Sequence, residues 1–524
     1  MSDKEMHIPN LHPSHRATTS NSQDEYEDTP ELGSSFKSRI GSFVGSYSRA
    51  SLMHMAENVV VSDGGMTDDE DDNASVYSSY LPRYTQSISR RNSEGTIHER
   101  TPLFPSLQKV DTCGSVMTVA DNYPHETHAK SSFTQSIFNS INILIGVGIL
   151  ALPLGFKCAG WAVGLFVFAF CFGLTNYTAK LLAKCLSADP ESRTYGDMGA
   201  FAFGIRGRIF ISVLFLTELI TCSVALVVLL SDGIDSLFPG HDPILIRVIS
   251  FFILTPTLFI PVRHLSYTSL LGILSVFSLL FVIIYDGLSK PTAPGSLHEM
   301  ADTSILPQDW MTVPMSFGLI MAGFAGHAVF PTIYRDMKSP KRYNEMVNYT
   351  YLVTAFVYMT IAACGYAMFG SSTMQEITQN IVLVPEYNQM INRLAVWLIA
   401  LNPIAKYGLT LNPVVLSWQI GLSNNQTIEN WFSRSSYRKP MVMTLGVIFT
   451  SAFIVLLAYL VPNFDQLMSL LGALFSFIIS GIFPMMCHLR LFGHTLSRFE
   501  IVSTYILITI AAFMAISGTL RSII

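Results

Sequence analysis

Three titratable side chains stand singly among apolar residues. Glu218 sits in FLTELITCSVAL, Lys406 in LNPIAKYGLTLNPV and His327 in SFGLIMAGFAGHAVFPTIYRDM. A lone carboxyl, ammonium or imidazole in such surroundings suits the binding and release of a proton, or the holding of a fixed charge. Each also has a structural reading: Glu218 as partner to a hydroxyl or backbone group, Lys406 as a snorkelling lysine, His327 as a packed core histidine. Asn139 and Asn142 could coordinate a cation or hold helices together. Bond-making chemistry lacks its parts. The apolar runs hold no paired carboxylates, no His-box, and no serine or cysteine nucleophile set with a nearby base, so an enzyme is not expected.

The elements that position these groups follow from composition. Of 524 residues, 50% are apolar and 13% charged, with a mean hydropathy of +0.40. A soluble chain carries about 25% charged residues. This is a polytopic membrane protein embedded in lipid. The formal charge of -5 and the lack of a basic cluster exclude nucleic acid as a partner. Seven cysteines show no CxxC pair or metal spacing, so no metal site and no cofactor are expected. The opening MSDKEMHIPN has no apolar stretch, so no cleaved signal peptide is expected.

Residues 1–130 are polar and without apolar periodicity, and are read as a disordered cytosolic regulatory tail. Ser93 in SRRNS, the acidic MTDDEDD and Thr101 before Pro102 offer sites to kinases. Glu99, Leu103 and Phe104 in ERTPLF loosely imitate a signal for sorting adaptors. The rest, 131–524, is read as a transmembrane domain. About eleven apolar stretches approach the ~20 residues that span hydrocarbon. They lie near 134–156, 161–184, 209–230, 244–262, 266–286, 312–334, 347–369, 391–417, 441–461, 465–487 and 501–519. Lys and Arg cluster in alternate loops: Lys180 to Arg208, Arg263, Arg335 to Arg342, Arg434 to Lys439, and Arg490 with Arg498. The loops between carry only Lys157, Lys290 and Arg521. That alternation predicts a cytosolic N-terminus and a lumenal C-terminus. The sequons at Asn348 and Asn425 then face the cytosol.

The first stretch contains GVGILALP, residues 146–153, where Gly146, Gly148 and Pro153 all oppose a continuous helix. The sixth repeats the frame: GILALP and GHAVFP both read Gly-x-x-x-x-Pro, with Gly148 and Pro153 answered by Gly326 and Pro331. Five crossings separate them, so the second copy is inverted. Repeat one spans about 134–286 and repeat two about 312–487, with an extra helix at about 501–519. Paired interrupted helices mark the midplane binding site of a secondary transporter, where bare half-helix N–H groups meet an anion.

SIFNSINILIGVGILALPLGFKCAGW, TELITC and NPIAKYGLTLNPV resemble the amino acid/auxin permease family, in its fungal vacuolar amino acid transporter branch. The resemblance covers about 131–520. It implies an all-α, LeuT-like fold of five plus five inverted helices with an eleventh added, and amino-acid transport coupled to protons. It also implies a substrate site at Asn142, Gly146, Val147, Gly148, Ile149, Phe324, Gly326 and His327. In sodium-coupled relatives a cation lies between the first and eighth helices. Asn142 is retained here, but Lys406 and its flanking prolines favour protons, with Glu218, Lys406 and His327 as coupling candidates. The function expected is exchange of neutral amino acids for protons into the vacuole. Export from the vacuole, or amino-acid sensing through the tail, are the alternatives.

Overall fold

The structure is a computed structural model that describes residues 130–524 apart from 191, 193, 261–268 and 424. The tail with Ser93, Thr101 and the Glu99–Phe104 segment lies outside the described residues, as do Arg193 and Arg263. The described chain is all helical, with one isolated bridge between Ser131 and Met337.

The apolar stretches of the sequence become helices, and glycines decide where they divide. The first crossing is α1 (Phe133–Leu144), a 3-10 turn (Val147–Ala151) and the start of α2 (Leu152–Ala188). Inside α2, Gly160 takes φ 68°, which turns the chain back into the second crossing. A side chain there would meet the Leu306 backbone at 2.7 Å as well as strain that φ. Likewise α3 (Tyr195–Leu237) breaks at Gly204, φ 68°, which separates a short segment from the third crossing. The fourth is α4 (Pro243–Leu254) with a 3-10 extension to Phe259, and the fifth is α5 (Ser269–Ser289).

The second set opens with another divided crossing, α6 (Val313–Gly323) and α7 (Phe330–Asp336). Then come α8 (Tyr343–Phe369), the short α9 (Ile377–Leu383) and α10 (Gln389–Ser423). After α11 (Gln426–Phe432), α12 (Arg438–Leu460) is the ninth crossing. The tenth joins α13 (Phe464–Leu470), a π segment (Leu471–Ile482) and α14 (Phe483–Phe492). The eleventh is α15 (Arg498–Ile523). The crossings thus form two sets of five, each opening with a divided helix, plus one. Side-chain caps start several helices where the sequence places Ser or Thr three residues before an acid or amide. Ser132 with Gln135, Thr194 with Asp197 and Ser497 with Glu500 all form capping boxes.

Burial sorts the helices into centre and rim. The tenth crossing is 72% buried over its most apolar window, whereas α12 and α15 are 22% buried and turn Phe449 and Phe513 outward to lipid. At the centre α6 and the π segment meet backbone to backbone. A Cβ on Gly472 would fall on the Gly318 carbonyl oxygen, and one on Gly318 would fall on that of Ser469. Only glycine fits either position. The π segment loosens its own carbonyls, and side chains meet two of them: Tyr195 donates to Ile479 O, and Thr178 to Ser480 O at 2.6 Å.

Candidate functional site at the divided helices

The prolines at the two breaks do no damage, because each opens a new half-helix. Pro153 is in the first turn of α2 and Pro331 in the first turn of α7, where a missing N–H would have been unpaired in any case. Gly146, extended at φ -118° and ψ -166°, carries the chain out of α1. The last carbonyl of α1 does not stay bare: the Tyr358 hydroxyl, from α8, donates to Leu144 O. Removing that hydroxyl leaves a buried acceptor unpaired. Tyr358→Phe is expected to lower stability by about 1–3 kcal/mol, read by thermal unfolding in detergent.

The two breaks lie side by side. Gly148 packs so closely on α6 that a Cβ would stand 3.4 Å from the Ala322 carbonyl carbon, and Gly326 packs on the Leu144 side chain. Beside the first break is a small cavity lined by Gly146, Val147, Ile149 and Leu150, by Leu229 of α3, by Ser275, Val276 and Leu279 of α5, and by Ile399 and Asn402 of α10. It has room for about one water molecule, so an amino acid fits only when these walls part.

Polar groups enter this apolar space from few directions. Asn402 Nδ2 donates to Ser275 Oγ at 3.4 Å. Pro403, inside α10, removes the N–H that would serve the Ile399 carbonyl, so the lining gains a carbonyl without its helical donor.

Of the residues expected from sequence, Gly146, Val147 and Ile149 line the cavity, while Gly148 and Gly326 serve the contact between the halves. Asn142 is half-buried on the last turn of α1 and is outside the cavity lining. Phe324 and His327 are fully buried but face elsewhere. The Phe324 ring packs on Phe168 at 5.3 Å and Tyr358 at 5.5 Å. His327 Nε2 is 3.0 Å from Thr178 Oγ1 of α2, and its ring lies against Phe330.

Lys406 follows Asn402 by one helical turn, and its Nζ lies against Gly272 of α5. Glu218 is on α3, eleven residues before the lining residue Leu229, about 16 Å along a helix. Cys222, one turn from Glu218, lies within electrostatic reach of both Glu218 and Lys406. The two charged groups therefore share one side of the cavity, the side from which residue 130 enters, but form no ion pair with each other. Sequence reading missed Asn402, Ser275 and the Ile399 carbonyl as lining. The Asn402-Pro403 pair inside an apolar run was the available signal.

The entry side is fastened by short-range bonds that no sequence pattern announces. Ser131 N donates to Asp336 O at 2.9 Å, and Lys338 N to Ser131 O at 3.0 Å, pinning the chain before α1 to the end of α7. Arg335 Nη2 donates to the carbonyls of Leu186, Asp189 and Ser192 at 2.8–2.9 Å, which ties α7 to the end of α2.

Two inverted five-helix sets, with their leading helices divided side by side, are the build of a secondary transporter. The chain belongs to the transmembrane amino acid transporter family, whose description "Transmembrane amino acid transporter protein" matches residues 129–524. It is a multi-pass membrane transporter and not an enzyme. Among its relatives, Amino acid transporter AVT1D of Arabidopsis thaliana is 31% identical, over 75% of this chain and 70% of its own. Amino acid transporter AVT1E of the same plant is 30% identical, over 78% and 75%. The crystal structure of MhsT in complex with L-phenylalanine aligns over 74% of this chain and 98% of its own, with a TM-score of 0.47 and 12% identity.

Proposed function

We propose that this protein is a proton-coupled transporter that moves neutral amino acids into the vacuole in exchange for protons. The observation that carries the reading is the pair of divided helices with a cavity at the first break. An amino acid's carboxylate meets the bare N–H groups at the start of the 3-10 turn, where helix dipoles favour an anion. Its side chain packs on Val147, Ile149, Leu229 and Val276, an apolar wall that suits a neutral substrate. Gly148 and Gly326 let the half-helices slide against one another, while Phe324 and His327 anchor the second break and Asn142 steadies the end of α1. Protonation of Glu218, with Lys406 as the fixed or switchable cation beside Asn402, biases the two access states. Coupling follows only if substrate affinity differs between those states.

In this reading residues 1–130 are a cytosolic tail open to kinases and sorting adaptors, and 131–524 are the transporter domain. The entry side faces the cytosol and the far side the vacuole lumen. Asn348 and Asn425 are then expected to carry no glycan, and treatment with a glycosidase should leave the mobility of the protein on a gel unchanged.

The decisive experiment is uptake of labelled neutral amino acids into sealed proteoliposomes with an acid interior and no sodium. Uptake that collapses when an uncoupler is added supports the reading. Uptake that is indifferent to the uncoupler, or that requires sodium, overturns it.

A further inference from the structure

On the far side of the bundle a second set of buried titratable groups has no place in the transport mechanism above. There α9 lies across the first break, packed on its 3-10 turn, on α3 and on α10. The helix and the segment leading into it are held down at several points. Lys157 Nζ donates to Thr373 O at 2.9 Å, the Phe464 N–H to Gln375 Oε1 at 3.1 Å, and Asn392 Nδ2 to Ile381 O at 2.9 Å.

Glu376 stands at the start of α9, 1% exposed, and caps no backbone N–H. Its Oε2 accepts from Thr378 Oγ1 at 3.0 Å, but its Oε1 has no hydrogen-bond partner. The charged group acting on it is another carboxyl, Asp232 of α3. Asp232 in turn faces Asp235 on its own helix and Arg247 of α4. The Arg247 guanidinium also reaches Val227 O at 3.4 Å. Lys157 is engaged with Thr373 O, and Lys290 pairs with Glu386 at 3.7 Å. A buried carboxylate with an unpaired oxygen beside a second carboxylate is costly unless one of them holds a proton.

We propose that Glu376 and Asp232 form a proton-binding site at the far-side lid, in which a proton on Glu376 closes α9 over the first break. The site deepens the transport reading and rests on it for one point, that the far side is the acid lumen. The proton comes from far-side water onto Oε1 and returns there when the lid lifts. Burial, and then Asp232, hold the closed-lid Glu376 carboxyl well above the usual carboxylate range. In the open lid it faces water and titrates normally. Closure is therefore fully favoured below the usual carboxylate range. Above it, closure weakens by about tenfold per pH unit until the raised value is passed. An acid lumen shuts the lid, and a neutral one frees it.

Hydrogen exchange of the peptide covering 374–384 tests this in the full-length protein in nanodiscs, over a pH series corrected for intrinsic exchange. Protection in the wild type is expected to fall by about tenfold per pH unit over part of the series. Glu376→Gln keeps the packing and should leave protection independent of pH. Asp232→Asn should make the fall level off at a lower pH. A flat wild-type profile, or a slope that Glu376→Gln leaves unchanged, would overturn the site. Should Glu376→Gln fail to fold, the wild-type and Asp232→Asn profiles still decide it. The measurement needs no transport, so the two readings fail separately: a flat profile with intact proton-driven uptake removes only the lid site, and the converse removes only the coupling.

Discussion

Glu218→Gln is expected to abolish accumulation of amino acid against its gradient, while exchange of labelled for unlabelled substrate continues. Each pH unit across the membrane supplies about 1.4 kcal/mol per proton, a tenfold accumulation ratio for one proton exchanged. A glutamine fills the same space and hydrogen-bonds but carries no proton between states, so the ratio should fall from about tenfold per pH unit to one. The geometry makes Glu218 the group to change. It is a carboxyl of the third crossing, one turn from Cys222, which lies within reach of Lys406, itself one turn from the cavity residue Asn402. Measuring net uptake and exchange on the same proteoliposomes separates loss of coupling from loss of folding. Undiminished accumulation in the variant would remove Glu218 from the mechanism.

The second large effect is on the fold itself. Gly472→Ala and Gly318→Ala each place a methyl on a backbone carbonyl oxygen across the contact between α6 and the tenth crossing, that of Gly318 in the first case and of Ser469 at the end of α13 in the second. Backbone cannot rotate away as a side chain can, so the helices must separate. Overpacking of a core costs about 1–3 kcal/mol, and these two sites are expected at or above the top of that range. Gly173, on the exposed side of α2, has nothing within 4 Å of where a methyl would stand and serves as the control. There alanine should be neutral or stabilising by up to about 1 kcal/mol. Thermal unfolding of the three variants in one detergent makes the comparison. Because Gly318 and Gly472 share a contact, the double variant should cost less than the two single costs added together. Equal stability of Gly472→Ala and Gly173→Ala would show that the helices do not pack this closely.

The crossings and their interruptions were legible in the amino-acid order alone. Both are local properties: about 20 apolar residues span hydrocarbon whatever surrounds them, and Gly and Pro disrupt a helix wherever they stand. The divided first and sixth helices, the matching Gly-x-x-x-x-Pro frames and the family resemblance could therefore be read directly. The direction of individual side chains could not. Phe324 and His327 adjoin the second break in sequence, yet they face α2 and α8, because rotation of a half-helix is set by packing against several neighbours.

The lining residues Asn402 and Ser275 are 127 positions apart, and meet only because α5 and α10 pack together. Tyr358 reaches Leu144 across 214 positions. Nothing in the segment around Glu376 announces that its carboxyl is buried. It takes the packing of distant helices to close α9 over the bundle and set that carboxyl against Asp232. A chain's pattern fixes how each segment meets lipid, whereas charge pairing depends on which distant segments share a space with no water to screen them.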